Sequence, residues 1–260
     1  MTIIMRSSTP HIIRMQRIVV LGATSGIALE FQRQLARQGR ELLLVARSPQ
    51  RLAALQSDLM ARGAQNVLTV AADLARIQHH AGIFDFVRRS FPEFDTVLLA
   101  YGAMEDQKDS EASVDVLLDE LNVNFVSAAA LLALFAADLE QRRTGCLAAI
   151  TSVTGDRGRR SHYVHDSAKG ALSLFLQELR RRLRPAGVKV ITIKPGPVRT
   201  PMTDHLANSA RFAPPERVAR DIIRALERGS PDILYTPWFW RPIMTAVRHL
   251  PEPLFKRLAW

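Results

Sequence analysis

A single cysteine, Cys146, stands in a chain of 260 residues, so no disulfide can close within it. That scarcity fits a reducing cytoplasm. Cys146 opens the apolar run Cys146-Leu147-Ala148-Ala149-Ile150, where a buried strand thiol is the expected role and a nucleophile is not. No apolar run is expected to cross a bilayer, which takes roughly 20 residues, because charges interrupt the long segments. Residues 1–16 lack both a continuous apolar stretch and a small-residue cleavage site, and read as a loose leader in which Met15 is a second candidate start. Repeats and low-complexity linkers are also missing, and a chain of this length can bury one α/β core, so a single domain is expected. Without an aromatic platform or a recognisable nucleic-acid motif, no nucleic-acid partner is expected, and no metal either.

Positive charge is abundant. Lys and Arg number 35 against 25 Asp and Glu, a formal net charge of +10. Arginines cluster at Arg157, Arg159 and Arg160 and again at Arg180, Arg181, Arg182 and Arg184. Such a balance favours polyanions, anionic lipid surfaces or phosphorylated substrates, although a solvated helix face is the plainer reading of the second cluster.

The stretch Gly22-Ala23-Thr24-Ser25-Gly26-Ile27-Ala28 follows a β-branched run, Arg17 to Leu21, and precedes a helix-period segment. Gly22 permits a tight turn, Gly26 lets backbone N–H groups approach a pyrophosphate, and Ala28 is small enough for close helix packing. A dinucleotide is the expected ligand, with Thr24, Ser25 and Ile27 around its phosphates. Strands are expected at Glu41 to Ala46, Asn66 to Ala71, Thr96 to Ala100, Cys146 to Thr151, Val188 to Lys194 and Asp232 to Tyr235. Helical periodicity lies between them, notably Ser48 to Arg62, Arg76 to Ser90, Ser110 to Arg143 in two segments, Tyr163 to about Arg184, and Pro214 to Gly229. Alternation of this kind implies an α/β doubly wound parallel sheet, the Rossmann fold.

The end of the second strand holds Ala46 and Arg47 where an acidic residue would bind the ribose of NAD. A cation there suits a 2′-phosphate, so NADPH is expected over NADH; the alternative is an arginine that merely opens the next helix. Asp73, after the third strand, can accept from an adenine amino group. Gly102 lets the backbone pass beside a cofactor. Asn124 lies within a helical region, where only solvent exposure or a side-chain task explains it.

With these residues in place the chain resembles the short-chain dehydrogenases/reductases from about Arg17 to Tyr235. The resemblance rests on Gly22 to Ala28, Asp73-Leu74, Asn124, Ser152, Ser167-Ala168-Lys169 and Pro195-Gly196-x-Val198-x-Thr200-Pro201-Met202, in that order. It implies that Lys169 binds the nicotinamide ribose and lends charge to the acid. Ser152 would hold the substrate carbonyl, Asn124 would order a relay water, and Thr200 with the Pro195, Gly196 and Val198 backbone would seat the carboxamide. One role does not carry over: the family's tyrosine, four residues before the lysine, is replaced by His165. Tyr163 is six residues away and, at ~100° per residue, points to another helix face. Either His165 donates the proton, or the protein binds NADPH and reduces slowly or not at all, as a sensor or scaffold; a surface histidine without a task is the third option. Ala100-Tyr101-Gly102, Asp106-Gln107 and the run Gly155 to Ser161 look like reductases acting on decaprenylphosphoryl-2-keto-ribose, which implies a keto-sugar on a polyprenyl phosphate. Another bulky apolar ketone is the alternative substrate.

Beyond residues 17–235, all three tryptophans fall in residues 236–260, among Arg241, Arg248, Lys256 and Arg257. This basic aromatic extension suits the headgroup zone of a bilayer, or else packs on the domain or a second subunit. The expectation is a cytoplasmic protein, peripheral at the inner face of the membrane if the first reading holds. A homo-oligomer is implied by the resemblance. Met202 to Arg211 is expected to be a substrate-side lid.

Overall fold

The computed structural model describes residues 15–204 and 211–257. The β-branched run Arg17–Leu21 forms β1, flanked by parallel partners on both sides and therefore apolar at almost every position. The chain continues as α1 (Gly26–Ala36), β2 (Glu41–Ala46), α2 (Pro49–Ala61), β3 (Asn66–Ala71), α3 (His80–Ser90) and β4 (Thr96–Leu99). There follow α4 (Gln107–Ala112), α5 (Val114–Leu121), α6 (Ser127–Arg142), β5 (Cys146–Ile150), α7 (Tyr163–Leu183) and β6 (Lys189–Pro195). The last elements are α8 (Pro215–Arg228), β7 (Ile233–Thr236), α9 (Trp240–His249) and α10 (Glu252–Phe255). The described strands make one seven-stranded sheet in the order β3-β2-β1-β4-β5-β6-β7, every pair parallel.

Alternate strand residues feed two cores, as the two-residue strand period requires. Ile18, Val20, Leu42, Leu44 and Ile191 face α1, α2 and α8, while Val19, Leu21, Leu43, Val97 and Val190 face α3, α6 and α7. The strand order reverses between β1 and β4, so the crevice for a ligand opens beside the Gly22 turn at the carboxyl ends of the strands. The expected α/β doubly wound sheet is the observed one.

Several boundaries differ from the sequence reading. The region Ser110 to Arg143 is α4, α5 and α6, and between α5 and α6 the helix widens to a π turn at Asn122–Val126, which holds Asn124. Val114–Arg142 is one helix long and apolar enough, by length and composition, to cross a membrane, contrary to expectation. Its α6 half instead buries Leu131, Leu132, Phe135 and Leu139 in the domain core. Met15 is buried in the first core and the Gln16 amide donates to Asp95 Oδ2 at 2.7 Å, so these two residues belong to the fold and not to a leader. Residues 1–14 of that leader, 205–210 of the expected lid, and Trp260 lie outside the described residues.

The C-terminal extension is packed on the domain. Met244 of α9 is fully buried, and the Arg157 guanidinium donates to the Val247 carbonyl (2.7 Å), the Leu250 carbonyl (2.5 Å) and Glu252 Oε2 (2.8 Å). Its carbon lies 3.9 Å from the Phe255 ring centroid, a cation–π contact that completes the clamp. Trp238 and Leu254 of this extension stay open, 71% and 50% exposed.

Candidate active site

Gly22 turns with φ +89°, and a Cβ there would stand 2.6 Å from Tyr101 Cβ and 2.7 Å from Tyr101 N, so no other residue fits. The amides of Gly22 and Ala23 both donate to the Val45 carbonyl, at 2.9 and 3.0 Å, tying the turn to the end of β2. A Cβ on Gly26 would meet Thr200 Cγ2 at 2.7 Å, which brings the Pro195 to Thr200 segment against the start of α1. The first turn of α1 carries no acidic side chain, and the Ser25 hydroxyl is buried without a partner. An orphaned hydroxyl beside free helix N–H groups is what a phosphate would satisfy.

The expected cation for a 2′-phosphate, Arg47, is exposed and forms no ion pair among the described residues. A second one, missed in the sequence, is Arg51, whose Nη2 donates to the Thr24 carbonyl at 3.2 Å. Asp73 is partly spent on its own turn, accepting from the Ala75 amide at 3.1 Å. Ile27 packs against the first core.

On the other side of the crevice the groups converge on Gly102 and Ala103. Asn124 is buried, donating to the carbonyls of Ala103 (2.9 Å) and Glu120 (3.0 Å) and accepting from the Ala103 amide (3.2 Å). A Cβ on Gly102 would lie 2.7 Å from Asn124 Oδ1 and 2.9 Å from Lys169 Nζ, so glycine leaves the room in which those two groups meet. Burial lowers the Lys169 ammonium to about 8, against a smaller opposing pull from Glu120. Ser152 sits at the end of β5, its Oγ 2.9 Å from Thr154 Oγ1 and accepting from the Thr154 amide. The loop carrying it lies directly on α7: a Cβ on Gly155 would be 2.7 Å from Gly170 N and from Lys169 C. This glycine seam, which sequence reading passed over, sets the depth of Ser152 relative to Lys169.

His165 is 8% exposed, and its Nδ1 lies 2.9 Å from the Ala103 carbonyl and 3.7 Å from Glu120 Oε1. Glu120 is buried too, accepting from the Glu105 amide and from Ser110 Oγ. Burial alone would push its carboxyl up, but its polar neighbours, His165 first and then the Glu105 amide and Ser110, outweigh this and hold it below the ordinary value. Sequence reading missed Glu120, although it precedes Asn124 by one helical turn and so shares its face.

Tyr163 is 43% exposed on α7, and Tyr101 is pushed up by burial and spends its hydroxyl on Ser127 Oγ at 2.6 Å. Tyr235 donates to Asp156, which also pairs with buried Lys194.

The arginines expected to meet a phosphate are corrected here. Arg157 clamps the C-terminal segment, and Arg159 forms a two-point ion pair with buried Asp166 at 2.8 and 3.1 Å. Only Arg160 is exposed and without an ion pair among the described residues. In the Pro195 to Thr200 segment, the Gly196 amide donates to the Thr236 carbonyl at 3.0 Å, and the Trp240 indole occupies the space a Cβ would need, with Nε1 1.9 Å from that point. The Val198 carbonyl accepts from Thr203 Oγ1, while its N–H has no partner among the described residues; the Thr200 amide is likewise used by Thr203. Cys146 is fully buried in β5, where burial raises its thiol to about 12, as a core residue and not a nucleophile.

Comparison with known proteins agrees with this fold. The chain is 32% identical to the uncharacterized oxidoreductase Rv2073c of Mycobacterium tuberculosis, covering 93% of this chain and 96% of that protein. It is 34% identical to an uncharacterized oxidoreductase in the mprA 5′ region of Streptomyces coelicolor, covering 93% and 95%. Among solved structures, a short-chain dehydrogenase from Sphingobium yanoikuyae in complex with NADPH superposes with a TM-score of 0.78 at 21% identity, over 94% of this chain and 96% of that one. A variant actinorhodin polyketide ketoreductase with NADPH gives 0.76 at 20%, over 85% and 95%. A family model described as short chain dehydrogenase matches residues 16–210, from the first strand through the Pro-Gly segment, and the chain belongs to that family.

Proposed function

We propose that the protein is an NADPH-dependent reductase of a bulky ketone, with His165 as the proton donor. The observation that carries this reading is the convergence of Asn124, His165 and Lys169 on Gly102 and Ala103. The cofactor's residues fit: Gly22 and Gly26 make the cradle, the Ser25 hydroxyl awaits an acceptor, and Arg47 with Arg51 stands where a 2′-phosphate needs cations. Bound NADPH supplies the hydride for the carbonyl carbon. Ser152 holds the carbonyl oxygen, and His165 Nε2 gives that oxygen its proton, leaving a neutral ring and an alcohol. Asn124 and Lys169 line the route by which water returns the proton. Pro195, Gly196, Val198 and Thr200 wall the nicotinamide end.

Within that activity the substrate class we favour is a keto-sugar on a polyprenyl phosphate, supported by the resemblance of the Ala100 to Gly102 and Gly155 to Ser161 strings. Asp156 and Arg157 in the second string serve the fold, so the support there is narrower than the sequence suggested. The test is titration with NADPH and NADH followed by single-turnover oxidation across a ketone panel that includes a polyprenylphosphoryl keto-pentose. Tight NADPH binding without oxidation by any ketone would favour the sensor reading instead.

A peripheral membrane position is the second reading, favoured by a basic groove beside the exposed aromatic residues. Arg217, Arg220, Arg224 and Arg228 line one side of α8, and with Leu234, Tyr235 and Trp238 they border a groove of ≈ 590 Å³. Cations around an exposed tryptophan match an anionic headgroup layer. Since the tail is built into the fold, charge reversal of the four arginines is a better test than truncation. Loss of sedimentation with anionic vesicles is expected, and unchanged sedimentation refutes it. A homo-oligomer is also proposed, from the exposed Val114, Leu118 and Val126 at helical spacing.

A further inference from the structure

We infer that Glu120 is a positioning residue for His165, holding with the Ala103 carbonyl the Nδ1–H edge of the ring so that Nε2 alone faces the substrate. This rests on the reading of His165 as the proton donor. A carbonyl oxygen can only accept, so the 2.9 Å contact between Nδ1 and Ala103 O requires a proton on Nδ1 whether the ring is neutral or charged. In the neutral ring Nε2 is then the unprotonated nitrogen. Nε2 has no partner among the described residues and is not among the buried polar atoms sealed from solvent, so it is the edge open to a ligand. Asn124 bonds the same Ala103 at both its amide and its carbonyl, which holds the acceptor of the ring in place.

The charge of Glu120 answers a problem of sign. An acid that is a cation when loaded is discharged by a neighbouring cation, and Lys169 stands one turn further along α7. Glu120 supplies the opposing charge, 3.7 Å from Nδ1, and it is coupled to Lys169 as well. The other charged neighbours do not replace it. Asp166 is committed to Arg159, His162 is held toward its neutral form by burial and then by Arg159, and the Glu105 side chain is exposed while only its amide reaches Glu120. Ser110 Oγ and the Glu105 amide anchor both carboxylate oxygens, so Glu120 is itself held in register.

The test uses the full-length protein with NADPH bound and reads the His165 ring nitrogens by ¹⁵N NMR across pH. In the wild-type protein the neutral ring is expected as the Nδ1–H tautomer; an Nε2–H tautomer overturns the inference without any variant. In Glu120→Gln, with NADPH affinity retained, the His165 midpoint is expected to fall by about one pH unit, the order seen for a carboxylate this close. Single-turnover NADPH oxidation at pH 7 is then expected to fall, by up to about tenfold, and to recover at lower pH. An unchanged midpoint overturns the inference. Should the midpoint move while no ketone is reduced, the reductase reading fails and the pairing stands.

Discussion

Lys169 lets the geometry be tested through stability, where no substrate is needed. The residue is 5% exposed, its ammonium has no carboxylate within salt-bridge distance among the described residues, and it is lowered from 10.5 to about 8, chiefly by burial. The folded-state value lies below the unfolded one, so between about 8 and 10.5 the unfolded chain binds more protons and stability rises with pH. Below that window the full cost of the buried charge is present. A fall from 10.5 to about 8 corresponds to about 3 kcal/mol, at roughly 1.4 kcal/mol per tenfold change in proton affinity. Lys169→Met keeps the side-chain volume and removes the charge, so it should stabilise the protein at pH 7 by up to about 3 kcal/mol, or about 6 °C in Tm for a chain of this size. The gain should shrink as pH approaches 10, and ketone reduction should be lost. Urea unfolding of both proteins at pH 7 and pH 9.5 measures it. A variant less stable than the wild type at pH 7, or an advantage independent of pH, would refute the burial argument for Lys169.

Gly155→Ala places a methyl group 2.7 Å from two α7 backbone atoms, which cannot yield as a side-chain tip does, so a loss of several kcal/mol or a displaced Ser152 loop is expected. Gly158→Ala, with nothing within 4 Å, is the control and should melt like the wild type. Arg157→Ala removes three hydrogen bonds and the stacking on Phe255, and should free residues 240–257 for proteolysis with a loss of about 2–3 kcal/mol; unchanged resistance to trypsin at Arg241 and Arg248 would sink the clamp. Arg47 and Arg51, each changed to Ala, should weaken NADPH by about tenfold while leaving NADH within twofold, the order of one charge-assisted phosphate contact. Equal losses for both cofactors would remove the 2′-phosphate from that corner.

The Rossmann sheet was legible because its causes are local. A β-branched run such as Arg17 to Leu21 has few alternatives once both faces must be covered, and a glycine at Gly22 is demanded by a φ of +89° that other residues resist. Helix boundaries in Val114–Arg142 were less so, since the π turn at Asn122–Val126 answers the hydrogen-bond demand of Asn124, not a propensity. The leader lost Met15 and Gln16 to the fold because their partners, the first core and Asp95, are distant in sequence.

Residue types for the site were also readable: Asn124, Ser152, His165 and Lys169 stand in an order and spacing that helix geometry makes meaningful. Their company was decided by the tertiary structure. Arg157 and Arg159 read as a phosphate site and became a clamp and an ion pair, because cations near buried carboxylates and unsatisfied carbonyls are taken up by them first. Glu120 was unremarked in the sequence, and it gains a role only when α5 sets it against α7. Trp240 against Gly196, and Gly155 against Gly170, depend likewise on parts of the chain that fold back from afar. Sequence by itself determined the sheet and the glycine turn after its first strand, since each rests on short-range backbone and spacing rules; contacts between distant segments, which no local rule encodes, decided what surrounds His165.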